Sequence, residues 1–274
     1  MRGHNYDFQM ATTYLDTILA SHRQRAAKDD RDWRARVEGV RYLGTSFVLV
    51  LRQGSSPFIK VIAEIKRRSP SQGVLAENLD AVELAGVYRD AGASALSVLT
   101  DREFFEGSLD ELSRVHQAVE LPILRKDFTV SENDILDAVD AGAGAVLLIV
   151  AALSDEELVS FMELSGVCGI DALVEVHDRN EAKRAIDCGA RLIGVNQRNL
   201  HTFDVDPEHA VKILDALPRD CLTVCESGLS SVADVERAAQ AGFDAVLVGE
   251  AFVTAPDPSA MVKSFALVPS SQRA

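Results

Sequence analysis

The sequence predicts an α/β protein, a (β/α)8 barrel of the TIM type carrying an N-terminal helical extension. Three observations carry that reading: eight short apolar runs, a helical stretch after each, and a Gly-centred repeat about 50 residues long. The runs span residues 59–65, 95–99, 122–124, 145–150, 172–176, 192–195, 222–225 and 245–248. They read as continuous, mostly apolar runs rather than strict alternations, as expected of parallel strands covered on both faces, although the first carries Lys60 and Glu64. Eight strand–helix pairs point to a closed barrel. A doubly wound open sheet is the alternative, weakened because no Gly-rich dinucleotide fingerprint follows the first run.

Taken in order, residues 6–27 place Phe8, Tyr14, Leu15, Ile18 and Leu19 at helical spacing. The charged stretch 28–36 is expected to continue that helix, with its charges on a solvated face. Residues 42–51 are apolar and ambiguous between helix and strand, and Gly54, Ser55, Ser56 and Pro57 break the chain. Residues 1–57 therefore read as an extension packed on a barrel of residues 58–274, one domain overall. Helices are expected at 78–90, 109–119, 131–140, 154–165, 178–187, 206–217, 230–240 and 258–267, with Ser131, Ser154 and Ser230 as N-caps. Gly92, Gly142, Gly189 and Gly242 each end one of these helices, where a left-handed residue suits the C-terminus.

Composition narrows the function. The 47% hydrophobic content supplies a core, yet the longest apolar runs are too short for a bilayer. Residues 1–10 lack a signal peptide's apolar core, so a soluble cytoplasmic protein is expected. Cys168, Cys188, Cys221 and Cys225 form no CxxC and read as buried free thiols, not disulfides or a metal site. A net charge of −14 argues against nucleic-acid or anionic-membrane partners. An anionic ligand must therefore be held by local cations and backbone amides.

The strand ends concentrate charge on one rim. The first strand ends in Glu64 and Lys66, the third in Arg125, Lys126 and Asp127, and the fifth supplies Glu175 and His177. Asn196 and Arg198 follow the sixth, Glu226 and Ser227 the seventh, Gly249 and Glu250 the eighth. Folding alone has little use for so many ionisable groups on one rim, whereas acid–base chemistry needs several at different pKa values. Two βα turns, at Gly228 and Gly249, suit a phosphate held by backbone N–H groups.

The stretches Ile62-Ala63-Glu64-Ile65-Lys66-Arg67-Arg68-Ser69-Pro70-Ser71, Phe104-Phe105-Glu106-Gly107-Ser108 and Pro122-Ile123-Leu124-Arg125-Lys126-Asp127-Phe128 resemble signatures of the indole-3-glycerol-phosphate synthase family. So do Leu173-Val174-Glu175-Val176-His177, Ile193-Gly194-Val195-Asn196, Arg198-Asn199-Leu200 and Glu226-Ser227-Gly228. The resemblance runs from about residue 58 to the C-terminus. It implies closure of the indole ring of 1-(2-carboxyphenylamino)-1-deoxyribulose 5-phosphate, with loss of CO₂ and water. It implies no cofactor and no metal, a phosphorylated small molecule as partner, and a monomer or weak homo-oligomer.

By the same resemblance Lys126 is the general acid, Glu175 its acid–base partner and Lys66 the group serving dehydration. Glu64, Asn196 and Glu226 orient the substrate, with Ser69 and Arg198 near its carboxylate and Phe105 also on the substrate. Ser227, Gly228 and Gly249 hold the phosphate. Lys66 and Lys126, with Arg68 and Arg125 near, are expected to depress each other's pKa. Gln197, the pair Arg67-Arg68 and Glu250 depart from the family's usual pattern and bear on substrate preference. Two other readings compete: a related phosphate-binding barrel isomerase, which would place a Cys at the first strand end, and a non-catalytic metabolite-binding barrel.

Overall fold

The structure, a computed structural model, describes residues 13–52, 57–69, 72–198 and 204–271. The sequence readings at Phe8, Gly54–Ser56, Pro70, Ser71, Asn199 and Leu200 lie outside these. Eight parallel strands close into a barrel. They are β1 Lys60–Ile65, β2 Ala95–Leu99, β3 Ile123–Lys126, β4 Ala145–Ile149, β5 Asp171–Val176, β6 Leu192–Asn196, β7 Leu222–Glu226 and β8 Ala245–Val248. Neighbours in sequence are neighbours in the wall, and β1 closes onto β8 with Lys60 opposite Ala245.

Three helices precede the barrel: α1 Tyr14–Ala26, α2 Trp33–Val37 and α3 Phe47–Arg52. Within it, α4 Ala81–Asp90 follows β1, α5 Arg102–Phe105 and α6 Leu109–Ala118 follow β2, and α7 Glu132–Asp140 follows β3. Then come α8 Asp155–Cys168, α9 Arg179–Asp187, α10 Pro207–Leu214, α11 Val232–Ala241, α12 Glu250–Val253 and α13 Pro258–Ala266. The repeat glycines Gly92, Gly142, Gly189 and Gly242 all end helices at positive φ, between 91° and 97°.

Because strand side chains alternate, each strand feeds two cores. Val61, Ala63 and Ile65 of β1 pack outward under the helices, as do Val174 and Val176 of β5. Ile62, Leu124, Leu173, Leu192, Val224 and Leu247 fill the barrel interior. Two residues further along the same inward face stand Glu64, Lys126, Glu175, Gly194, Glu226 and Gly249. The interior is thus apolar at its lower layers and polar at its C-terminal layer.

The helices before the barrel touch both of its ends. Phe47 and Leu51 of α3 belong to the inner core and plug the N-terminal end, where Asp171 accepts from Ser46 Oγ and Val48 N, both at 2.9 Å. The ambiguous stretch 42–51 is therefore helical from Phe47. At the other end α1 is held by Arg23, which ion-pairs with Glu157 at 2.6 Å and donates to the Val130 and Ala152 carbonyls.

Three expectations are corrected. Residues 28–36 are not a continuation of the first helix: α1 ends at Ala26 and α2 begins at Trp33. Asp29 and Asp32 accept from the backbone two residues on, a local bonding pattern that competes with helix. Nor is that stretch merely solvated, since Arg31 and Arg36 each ion-pair with Asp137 at 2.8 Å. Ser131 and Ser154 are N-caps as expected, but α11 is capped by Ser231, while Ser230 N and Oγ donate to Asp234. The four cysteines are free, with Cys188 half-buried and the others buried.

Candidate active site

A cavity of about 700 Å³ opens at the C-terminal end of the barrel. Every site residue expected from the sequence lines it: Glu64, Lys66, Ser69, Phe105, Lys126, Glu175, Asn196, Arg198, Glu226, Ser227, Gly228 and Gly249. Leu147, Ile149, Leu247 and Phe128 add apolar wall, and Tyr14, Leu15 and Ile18 of α1 complete the lining.

The charges form two groups. Lys66 Nζ lies 2.8 Å from Glu64 Oε1, and Ser97 Oγ donates to the other Glu64 oxygen at 3.4 Å. Lys126 Nζ stands 3.3 Å from Glu175 Oε2 and 4.0 Å from Glu226 Oε2. His177 Nε2 lies 3.2 Å from the second Glu175 oxygen. Asn196 Oδ1 accepts from Arg198 N at 3.0 Å, and Ser69 Oγ from Gln72 N at 3.1 Å, so local backbone fixes both residues.

These contacts reverse the expected lysine electrostatics. Burial works against the charged form of Lys126, but Glu175, Glu226 and Glu64 outweigh it and raise its pKa. Burial likewise works against the Glu175 carboxylate, yet Lys126 and His177 hold its pKa well below the ordinary range. Glu226 goes the other way: burial, then the Glu175 charge, push it well up. Its Oε1 is buried without a hydrogen-bond partner among the described residues. Arg125 does not contribute, because it sits one residue out of phase with Lys126 and points outside the barrel wall. There it donates to Thr100 Oγ1 at 3.0 Å and to Asp127 at 2.9 Å. Arg68 meets Glu106 at 3.6 Å.

Two glycines make room for the carboxylates. A Cβ at Gly194 would stand 1.9 Å from Glu226 Oε1, and one at Gly249 would stand 2.4 Å from Glu64 Oε1. The β7–α11 turn is a consecutive left-handed pair, Ser227 and Gly228, both at φ 68°. The turn leads into the N-terminal end of α11, an end that favours anions. Gln197 staples this turn, its Nε2 donating to the Ser227 carbonyl at 2.9 Å.

Sequence reasoning missed His22. It is fully buried under α1, and its Nε2 lies 2.7 Å from Asp101 Oδ2, which also caps α5 at Phe104 and Phe105. The helical spacing of Leu15, Ile18 and His22 was the available signal. His22, Asp101 and Asp127 lie close enough to hold a cation. Their atoms are already engaged, however, by Arg25 on His22 Nδ1 and by Thr100 and Arg125 on Asp127.

A family model described as indole-3-glycerol phosphate synthase matches residues 15–265. A protein of that name from Parafrankia sp. is 46% identical over 255 residues, covering 92% of this chain and 89% of the relative. Another from Chlorobium phaeovibrioides is 50% identical over 198 residues, 72% of this chain and 77% of the relative. Among solved structures, a 3-hexulose-6-phosphate synthase superposes with a TM-score of 0.62 at 17% identity, covering 77% of this chain and all of that one. At that identity the likeness shows the fold alone.

Proposed function

We infer how this site works from one premise: the chain belongs to the indole-3-glycerol phosphate synthase family. It is a carbon–carbon lyase that closes the indole ring of 1-(2-carboxyphenylamino)-1-deoxyribulose 5-phosphate, releasing CO₂ and water. The observation that carries the assignment of roles is the Lys126 ammonium, 3.3 Å from Glu175 inside an apolar-walled cavity.

In this reading the aromatic carbon attacks the ketone, and Lys126 delivers its proton to the ketone oxygen as charge builds there. A pKa raised by carboxylates keeps Lys126 protonated, and so available as a donor, at neutral pH. Glu175 stays ionised beside it as acid–base partner. Loss of CO₂ leaves the bonding electrons on the ring. Lys66 then protonates the departing hydroxyl, so that water leaves, and a basic group of the rim takes the last proton. Ser69 and Arg198 meet the substrate carboxylate, while Glu64, Asn196, Glu226 and Phe105 orient the rest. The phosphate sits against Ser227, Gly228 and Gly249.

We further read residues 1–57 as an extension of the same domain as residues 58–274, since Phe47 and Leu51 complete the barrel's inner core. Among the described residues no helix is long and apolar enough to cross a membrane. Together with the net charge of −14 this supports a cytoplasmic enzyme without nucleic-acid or membrane partners. The test is direct. Adding the carboxyphenylamino-deoxyribulose phosphate should produce indole absorbance and fluorescence, and silence with a folded protein would overturn the reading.

A further inference from the structure

One part-buried titratable side chain on the rim, His177, has no part in the steps above. His177 directly follows β5 on the inward face that carries Leu173 and Glu175, yet it is not among the cavity-lining residues. Its ring lies between two carboxylates, hydrogen-bonded to Glu181 through Nδ1 and in ion-pair contact with Glu175 through Nε2, whose geometry falls short of a hydrogen bond. Nε2 lies 3.2 Å from Glu175 Oε1 and Nδ1 lies 3.1 Å from Glu181 Oε2. Glu181 is itself fixed, because the same oxygen accepts from His177 N at 2.8 Å and Asp178, the N-cap of α9, accepts from the Glu181 amide. From α10, His209 meets the His177 carbonyl at 3.0 Å. The charged groups on the ring are thus Glu175 from β5 and Glu181 from α9. Beyond Glu175 stand Lys126 and Glu226.

We propose that His177 is a positioning residue for ring closure: as an imidazolium bridging Glu181 and Glu175, it fixes the Glu175 carboxylate against Lys126. The proposal rests on Glu175 being the acid–base partner of Lys126. One Glu175 oxygen faces the ammonium and the other the imidazolium, so rotating the carboxylate breaks both contacts. Burial works against a charged ring, but Glu175 and Glu181 outweigh it and lift the His177 pKa to about 10, which keeps the cation in place at neutral pH. A second cation also keeps Glu175 ionised despite the buried Glu226 nearby.

The experiment compares His177→Leu, His177→Asn, Glu181→Gln and Glu175→Gln by kcat, KM and pH profile, with circular dichroism as the check on folding. His177→Leu should lower kcat by about 10- to 100-fold, the cost of a misplaced catalytic group, with KM changed by less than about threefold. Losing a cation raises the pKa of Glu175, so the acid limb of kcat should move up by about one pH unit. His177→Asn, which keeps an N–H donor, should recover part of kcat. Glu181→Gln, outside the cavity lining, should lower the His177 pKa, so that kcat falls on the alkaline side at a lower pH than in the wild type, as the imidazolium is lost. An unmoved acid limb in His177→Asn, an unmoved alkaline limb in Glu181→Gln, or a loss expressed wholly in KM, overturns the proposal even if His177→Leu does not fold. Near wild-type turnover in Glu175→Gln would instead overturn the role of Glu175 on which it rests.

Discussion

Replacing Lys126 by Met removes the ammonium that faces Glu175 at 3.3 Å and Glu226 at 4.0 Å while keeping the length of the side chain. Two consequences should separate cleanly. Turnover loses a general acid, so kcat should fall by at least about 10²-fold at every pH, with substrate still bound through its phosphate. Stability loses one partner of a buried ion pair, which costs about 3–5 kcal/mol above neutrality. For Glu175 the sign with pH is opposite in the two proteins, while Glu226, already pushed up in the wild type, favours low pH in both. In the wild type, Glu175 has a depressed pKa, so its contribution is present above the carboxyl's unfolded pKa and is lost only under strong acid. In the variant the clustered carboxyl groups have raised pKa values, so stability is retained at low pH and lost as pH rises through them. Melting curves of Lys126→Met should therefore move to higher temperature between pH 8 and pH 5.5. Indole fluorescence reads the first effect and thermal melts at several pH values read the second. Turnover within tenfold of the wild type, or melts that improve with rising pH, would refute this account of the site.

Further outcomes are expected. Lys66→Ala should accumulate a decarboxylated, still-hydroxylated intermediate in rapid-quench samples and raise KM; a product profile identical to that of Lys126→Met would undo the division between the lysines. Inorganic phosphate should inhibit competitively, and Ser227→Ala should raise KM about tenfold by removing a hydrogen bond to a charged group. Gly228→Val is a poorer probe, since a Cβ there would stand 2.2 Å from Val205 at a positive φ. Deleting residues 1–40 should leave a folded barrel that retains the Phe47 plug but lacks the cavity wall made by Tyr14, Leu15 and Ile18. An unchanged KM would show that α1 takes no part in substrate retention.

The barrel was legible because the strands are mostly apolar runs, most of which end in polar residues. The membership of the rim was legible for the same reason, since the polar residues stand where the runs end. Which way each residue faces was not, because a strand buried on both sides shows no alternation in its composition. Arg125 and Lys126 look alike as neighbours in sequence, yet one residue of phase sends them to opposite sides of the wall. The electrostatics were hidden more deeply. Glu64, Glu175 and Glu226 come from β1, β5 and β7, and only closure of the barrel brings them around one ammonium. The break after α1 was missed because Asp29 and Asp32 were read as surface charge rather than as competitors for backbone N–H groups.

The segment that caps both ends of the barrel is made before the groups that hold it and can dock only late. As the chain leaves the ribosome, α1 emerges well before Asp101, Val130 and Glu157, the groups that hold its His22 and Arg23. The α3 plug waits longer still, because Asp171 and the Asp220 carbonyl that receives Arg52 lie in the second half of the chain. β1 meets its neighbour β8 only when Ala245–Val248 has been synthesised. A nascent chain therefore carries an undocked amphipathic leader through most of its synthesis. Synthesis from the N-terminus runs against the order in which this fold can be sealed.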